Sequence, residues 1–166
     1  MMQPLPPGFK IHTYSFDVPV NASPPLVWKW LNTPSTFTET QVWPYKVEFY
    51  SPDPEKTANG FHPNVLTNHT GPFINFAGVL TEITENYRDL QYYYGSYAIS
   101  FHLVRPFRLE FSTREQDGIT TITCTISSYV KPSFYKIWDR LNKLFWSRFK
   151  KWSAKSLARL SLDTPT

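Results

Sequence analysis

The sequence is poor in residues that cross-link or loosen a chain: it has one cysteine, Cys124, and 6 glycines among 166 residues. A single cysteine excludes an internal disulfide and a cysteine zinc cluster, and it fits the reducing cytoplasm that we expect for this protein. No apolar run reaches the ~18 residues of a transmembrane helix, and the N-terminus lacks a secretory signal pattern. Turns must depend on the 15 prolines and on Asn and Asp.

Chemical motifs are equally scarce. The four histidines, His12, His62, His69 and His102, do not pair at metal-ligand spacing, and there is no phosphate loop or nucleophile elbow. No two carboxylates share a predicted inner face, as an acid–base site requires. We therefore expect surface or loop histidines, with His102 pointing outward, and a small buried Cys124. The sequence predicts no metal and no cofactor, and it identifies no catalytic residue.

Aromatic residues, by contrast, make up 17% of the chain, while the net charge is only +4. Aromatic side chains bury large areas, and they also form good walls for flat or apolar ligands. Their abundance leaves two interpretations open: a solid packed core, or a core that surrounds a cavity.

The stretch 16–32 changes its apolar period from two to 3.6, which indicates a strand followed by a helix. Ser23 offers an N-cap hydroxyl, and Pro24 suits the first helical position. We expect Trp28 to be buried and to close one end of the sheet. Trp30 lies ~200° further around the helix, so we expect it to face another way and to tolerate substitution better.

Alternating patterns predict most of the remaining chain to be antiparallel strands. They lie at Tyr45–Tyr50, Phe73–Asn86 with a bend or bulge at Gly78, Leu90–Gly95, Tyr97–Val104, and in a hairpin from Phe107 to Val130 that turns at Gln116–Gly118. The register of the proline-interrupted stretch 60–72 stays open.

After Pro132 the period returns to 3.6 and predicts one helix to about Leu160. Its apolar stripe comprises Phe134, Trp138, Leu141, Phe145, Phe149 and Trp152. A sheet with one apolar face needs a cover, and this is the only long helix in the pattern. We therefore expect the sheet to curl around it.

Both ends of the chain resemble the START / polyketide cyclase / pollen-allergen-like superfamily, called SRPBCC. The first strand runs into a polar-x-Pro-x-Val-Trp-x-x-Leu motif, carried by Phe16, Val18, Ser23, Pro25, Val27, Trp28, Leu31 and Pro34. The chain ends, as in that superfamily, in a hairpin and a long amphipathic helix. The resemblance implies an α+β helix-grip fold: a curved antiparallel sheet of about six or seven strands wrapped around the C-terminal helix, with two short helices after strand 1. It implies one domain at 11–161 between tails at 1–10 and 162–166.

The helix-grip fold implies a cavity between the sheet and the C-terminal helix. Our leading hypothesis is binding or transport of a small hydrophobic or amphipathic ligand, such as a lipid, polyketide or quinone. A polyketide cyclase or dehydratase that uses the same cavity is the alternative, and a protein-interaction domain with a filled core is the third. Fold alone does not choose among them.

The residues that we expect to bind this ligand lie on the predicted inner faces. They are Phe49, Asn75, Phe76, Tyr92, Tyr94, Phe101, Leu103, Phe111, Trp138, Leu141 and Phe145. Asn75 and Phe76 are alternatives, because neighbours on a strand point to opposite faces. An inward Asn75 would orient a ligand carbonyl or hydroxyl.

The basic side of the last helix is either a solvated face or a peripheral contact with anionic membrane through Lys143, Lys150 and Lys151. Nucleic acid is not favoured as a partner. Base stacking needs exposed aromatics among the basic residues, and only Trp146 lies off the apolar stripe.

Overall fold

The chain is described by a computed structural model, which covers residues 3–39, 43–57 and 59–163. This part of the chain contains eight strands and four α-helices. In chain order they are β1 (Lys10–Val20), α1 (Pro24–Asn32), α2 (Pro34–Thr38), β2 (Lys46–Tyr50), α3 (Pro54–Thr57), β3 (Leu66–Gly71), β4 (Ile74–Ile83), β5 (Tyr87–Tyr92), β6 (Tyr97–Ala98), β7 (Val104–Gln116), β8 (Ile119–Val130) and α4 (Tyr135–Asp163). None of these helices is both long and apolar enough to span a bilayer.

All eight strands form one antiparallel sheet in the order β1-β8-β7-β5-β4-β3-β2, with the short β6 paired to β4. The strands β1 and β2 are therefore its two edges. The long β7–β8 hairpin turns at Asp117 and Gly118, whose φ angles of 53° and 75° are those that a tight hairpin turn requires. The predicted helix-grip fold is confirmed, with eight strands instead of six or seven.

The middle of the chain differs from the sequence-based expectation. The open stretch 60–72 contains β3, which pairs with both β2 and β4. The predicted strand Tyr97–Val104 is wrong beyond its first two residues, because Ile99 has a φ of 68° and starts a turn. The irregularity of β4 lies between Leu80 and Glu82 and not at Gly78.

The buried face of α4 is rotated relative to the predicted apolar stripe. Its buried residues are Trp138, Asn142, Trp146, Ser153 and Leu157, whereas Leu141 and Phe145 are 37% and 50% exposed. Asn142 tolerates burial because its amide donates to the Trp138 carbonyl at 2.9 Å and accepts from Trp146 Nε1 at 3.1 Å. The polarity of this asparagine hid the true buried stripe.

The helix α4 lies over the β1 edge of the sheet. The ring of Phe16 in β1 lies 5.3 Å from that of Trp146 and 6.2 Å from that of Phe149. Further along, His12 Nε2 lies 3.4 Å from Asp139. His12 is only 2% exposed, so the expectation of a surface histidine is wrong there.

The helix α1 presents Trp30 to the core, and not Trp28 as predicted. Trp30 is 3% exposed, its ring lies 5.1 Å from that of Trp152, and its Nε1 donates to Ser156 Oγ at 2.9 Å. Trp28 is only partly buried. Trp30 therefore closes this end of the sheet.

Ser23 occupies the N-cap position of α1, but its hydroxyl makes no cap hydrogen bond. Pro24 and Pro25 fill the first two helical positions and have no N–H to donate. The Ser23 carbonyl accepts from the Val27 N–H at 3.0 Å. The predicted helix start is thus right, and the predicted hydroxyl bond is wrong.

Single substitutions at these three positions should differ in stability. Trp30→Ala should lower the free energy of unfolding by about 3–5 kcal/mol, because it leaves a cavity and removes a buried hydrogen bond. Trp28→Ala should cost about 1–2 kcal/mol, and Ser23→Ala less than about 0.5 kcal/mol, since no cap bond is lost. Denaturant melts measure all three, and a Trp28→Ala loss equal to that of Trp30→Ala would contradict this assignment.

Candidate functional site

A mainly apolar cavity, open to solvent at one end, lies between the concave face of the sheet and α4. Its volume is about 250 Å³. Small-molecule sites typically measure ~300–1,000 Å³, so this one suits a small ligand. A larger depression of about 420 Å³, between the start of α1 and the β7–β8 turn, is more open to solvent and has no aromatic residue among its lining residues. We therefore place the candidate site in the cavity between the sheet and α4.

Aromatic rings form most of the cavity wall. They come from α2, four strands and α4, and are Phe37, Phe49, Phe76, Tyr92, Phe111, Trp146, Phe149 and Trp152. Neighbouring rings pack against one another, with centroids 5.3 Å apart for Phe76 and Tyr92 and 6.0 Å apart for Phe111 and Phe149. Such walls favour flat or aliphatic ligand groups over strongly hydrated ones.

The cavity opens between β2 and α4. Its exposed lining residues are Lys46, Phe145 and Arg148, and the ring of Tyr45 lies 6.4 Å from that of Phe145 across the opening. The rotation of α4 therefore places Phe145 at the mouth.

Five of the predicted ligand-binding residues line the cavity: Phe49, Phe76, Tyr92, Phe111 and Phe145. Their role in binding stays a prediction. The choice between Asn75 and Phe76 is settled in geometry, because Asn75 is exposed on the opposite face of β4.

The other predicted residues lie elsewhere, so their placement in the cavity wall is corrected. Leu103 and Trp138 pack in a separate cluster around Val104 and Val130. Tyr94 precedes the short β6 and Phe101 follows it, and the Arg105 guanidinium carbon is 5.0 and 4.0 Å from their ring centroids. Leu141 is turned to solvent by the rotation of α4. The expected strand Tyr97–Val104 does not continue beyond Ala98, and that removes Phe101 and Leu103 from the inner face.

Arg88 of β5 brings a positive charge into the cavity wall. It is 6% exposed, and one N–H donates to the carbonyl of Leu31 in the last turn of α1. Its guanidinium carbon lies 5.2, 4.9 and 4.9 Å from the ring centroids of Phe37, Phe61 and Phe111. Burial lowers the pKa of Arg88 to about 10, so it is still charged at neutral pH.

No carboxylate lies within ion-pair distance of Arg88 in the described part of the chain. The adjacent Asp89 points to the outer face of the sheet, where Arg108 Nε donates to it at 2.8 Å. The charged residues that line the cavity, Lys46, Arg88 and Arg148, are all positive. The cavity therefore combines apolar walls with a positive charge that no carboxylate neutralises.

His69 of β3 supplies a neutral polar group. Its Nε2 is buried without a hydrogen-bond partner, and its ring packs 6.3 Å from Phe76 and 5.9 Å from Tyr92. Burial, aided by the charge of Arg88, lowers the pKa of His69 to about 4. Burial raises the pKa of the Tyr92 hydroxyl, so that group stays protonated. The expectation of a surface or loop position is wrong for His69.

Sequence reasoning missed His69 and Arg88 because the boundaries of their strands were not predicted correctly. With β3 unassigned, the alternation that turns His69 inward could not be followed. The predicted strand at Leu90 begins three residues late; extended back to Tyr87, its alternation places Arg88 on the same face as Leu90 and Tyr92. In the described part of the chain, no three His, Cys, Asp or Glu side chains lie together as a metal site.

Solved structures with the same fold have low sequence identity to this chain. Norcoclaurine synthase from Thalictrum flavum, in complex with dopamine and hydroxybenzaldehyde, is 14% identical, with a TM-score of 0.66 over 96% of this chain and 91% of that one. Protein MLL2253 from Mesorhizobium loti is 15% identical, with a TM-score of 0.64 over 89% and 98%. The Aha1 dimer from Colwellia psychrerythraea is 12% identical, with a TM-score of 0.56 over 86% and 96%.

No protein-family model and no curated protein matches the sequence. The similarity is thus one of three-dimensional structure. The chain shares the helix-grip fold of these solved structures, as the opening motif and the final helix predict.

The depressed pKa of His69 predicts a pH-dependent stability. Below its ordinary pKa of 6.5 the unfolded chain takes up a proton that the folded chain refuses until about pH 4, so stability falls as the pH drops through this window. The His69→Phe variant has no side chain at this position that takes up a proton on unfolding. Between pH 7 and pH 4.5 the wild type should lose on the order of 1–2 kcal/mol more than the variant. Urea melts at the two pH values measure these losses, and equal losses for the wild type and the variant would contradict a neutral His69 with a buried Nε2.

Proposed function

We propose that this protein binds a small, largely apolar ligand in the cavity between the sheet and α4. The observation that carries the proposal is the cavity with aromatic walls between the sheet and α4, at a place where a packed core would have none. Norcoclaurine synthase, which has a similar fold, is described with two small aromatic compounds, dopamine and hydroxybenzaldehyde. That precedent supports a ligand of one or two rings in a cavity of this size.

Binding explains the polar groups of the cavity better than catalysis of the polyketide cyclase or dehydratase type. A general base works best when its pKa is close to the working pH, and that of His69 is lowered to about 4. Burial also makes the Tyr92 hydroxyl a poor proton donor by raising its pKa. Both groups are better suited to orient a ligand by hydrogen bonds.

A substitution that fills the cavity should abolish binding. Val47 lines the cavity, whereas the next residue, Glu48, is exposed on the other face of β2. Val47→Trp should weaken binding of the neutral fluorescent probe N-phenyl-1-naphthylamine about tenfold or more, and Glu48→Trp should leave it unchanged. Thermal melts of both variants serve as the control for folding. A wild-type protein that takes up no probe, and yields no compound on solvent extraction and mass spectrometry, would overturn the proposal.

We further propose peripheral contact of α4 with anionic membrane. Leu144 and Phe145 are 58% and 50% exposed, and the exposed Lys143, Lys150 and Lys151 lie on the same helix. Exposed apolar side chains beside lysines are typical of helices that lie in a membrane interface. Lys143 also pairs with Asp139 at 2.7 Å, so we expect Lys150 and Lys151 to contribute more. The cytoplasmic location stays a prediction.

Vesicle sedimentation tests this contact. The wild type should sediment with phosphatidylserine vesicles at low salt and be released as salt screens the charges. Lys150→Gln/Lys151→Gln should reduce binding severalfold, whereas Lys10→Gln/Lys29→Gln, which removes the same charge elsewhere, should not. Equal recovery on neutral vesicles, or an equal loss of binding in both double variants, would show that this side of α4 is a solvated face and not a membrane contact.

A further inference from the structure

The cavity has a property that a purely apolar ligand does not use: a buried cation without a carboxylate partner. Resting on the proposed function, we propose that the ligand carries one carboxylate, which binds the guanidinium of Arg88 while its apolar body fills the aromatic cavity. The ligand class is a small aromatic or short-chain aliphatic monocarboxylic acid.

The first argument is the state of Arg88 in the ligand-free protein. A guanidinium has five N–H donors, and within the described residues it donates one hydrogen bond, to the Leu31 carbonyl. Three aromatic faces compensate part of its charge. Buried cations ordinarily pair with an anion and satisfy their remaining donors. A ligand carboxylate would neutralise the charge of Arg88 and accept hydrogen bonds from two of its free N–H groups, in the bidentate geometry that a planar guanidinium favours.

The second argument is that the carboxylate next to Arg88 in the sequence is already paired with another arginine. Asp89 adjoins Arg88 in sequence, but the alternation of β5 turns it to the outer face, where it pairs with Arg108. Among the described lining residues there is no Asp or Glu. An anion that neutralises Arg88 must therefore enter from outside, through the mouth that Lys46 and Arg148 flank. Their positive charges favour the approach of an anion.

The third argument fixes the charge of the ligand at one. Arg88 is the one buried cation among the described lining residues, and His69 is neutral near pH 7 because its pKa is lowered to about 4. A phosphate monoester carries nearly two negative charges at this pH, and the second would lie uncompensated against apolar walls. His69 Nε2, which has no partner, offers a neutral hydrogen bond to a further polar atom of the ligand.

Isothermal titration calorimetry with 2-naphthoate and its neutral isostere 2-naphthamide tests the proposal. The wild type should bind the carboxylate about tenfold or more tightly than the amide, since a charge-assisted pair forms with the carboxylate alone. Arg88→Gln should abolish this preference and retain amide binding. Arg114→Gln, which removes an exposed arginine at the far end of β7, should keep the preference. Displacement of N-phenyl-1-naphthylamine by naphthoate locates binding in the cavity.

The outcomes separate the two levels of the proposal. If the wild type binds the neutral probe and the amide as tightly as the carboxylate, the acid assignment is overturned and the apolar binding function stands. If it binds none of the three compounds, the proposed function itself fails. The wild-type comparison of acid and amide decides the matter even if Arg88→Gln does not fold.

Discussion

One long helix cannot fill the concave face of an eight-stranded sheet, and the rest of this structure follows from that mismatch. The helix α4 packs over the β1 edge, with Phe16 against Trp146 and Phe149. The strands towards the opposite edge, β2 to β5, therefore lack a full cover. The short helices α1 and α2 close one end through Trp30 and Phe37, whose rings both contact that of Trp152. What is left between them is a bounded cavity.

The closing helices also determine the chemistry of the cavity. The C-terminal turn of α1 brings a backbone carbonyl, that of Leu31, to the cavity wall, where it accepts from Arg88. Carbonyls at the end of a helix lack intrahelical partners and carry partial negative charge. One such dipole helps to hold a guanidinium in place but cannot neutralise a full charge. Arg88 is thus fixed in position and still attracts an anion.

The order of elements and the inner faces of the longest strands were predictable from the sequence. Ile122, Cys124 and Ile126 alternate with polar residues and are buried as predicted, because a 12-residue strand in a long hairpin gives a strong period-two pattern. The predictions failed where the pattern was short or where tertiary contacts reversed it. The two-residue β6 ends at Ala98, before the positive φ of Ile99, and β3 has polar residues on both faces.

The rotation of α4 shows why the residues that line the cavity were harder to predict than the fold. Two stripes with a 3.6-residue period exist on this helix, and hydrophobicity favours the one that contains Leu141 and Phe145. The protein buries the other, in which Asn142 satisfies its amide within the helix and Ser153 donates to the Lys150 carbonyl at 3.1 Å. Local hydrogen bonds thus make polar residues acceptable in the core. A hydropathy pattern contains no information about these hydrogen bonds.

The positions of the cations relative to solvent decide which of them can give selectivity. Lys46 and Arg148 are exposed at the mouth, where water and salt screen their charges, so they would affect the approach of the proposed ligand more than its affinity. Arg88 lies in a wall of low polarity, where the same unit charge interacts several times more strongly. The residue that determines the chemistry of this cavity is therefore the one that strand alternation withdraws from solvent and separates from its neighbouring carboxylate.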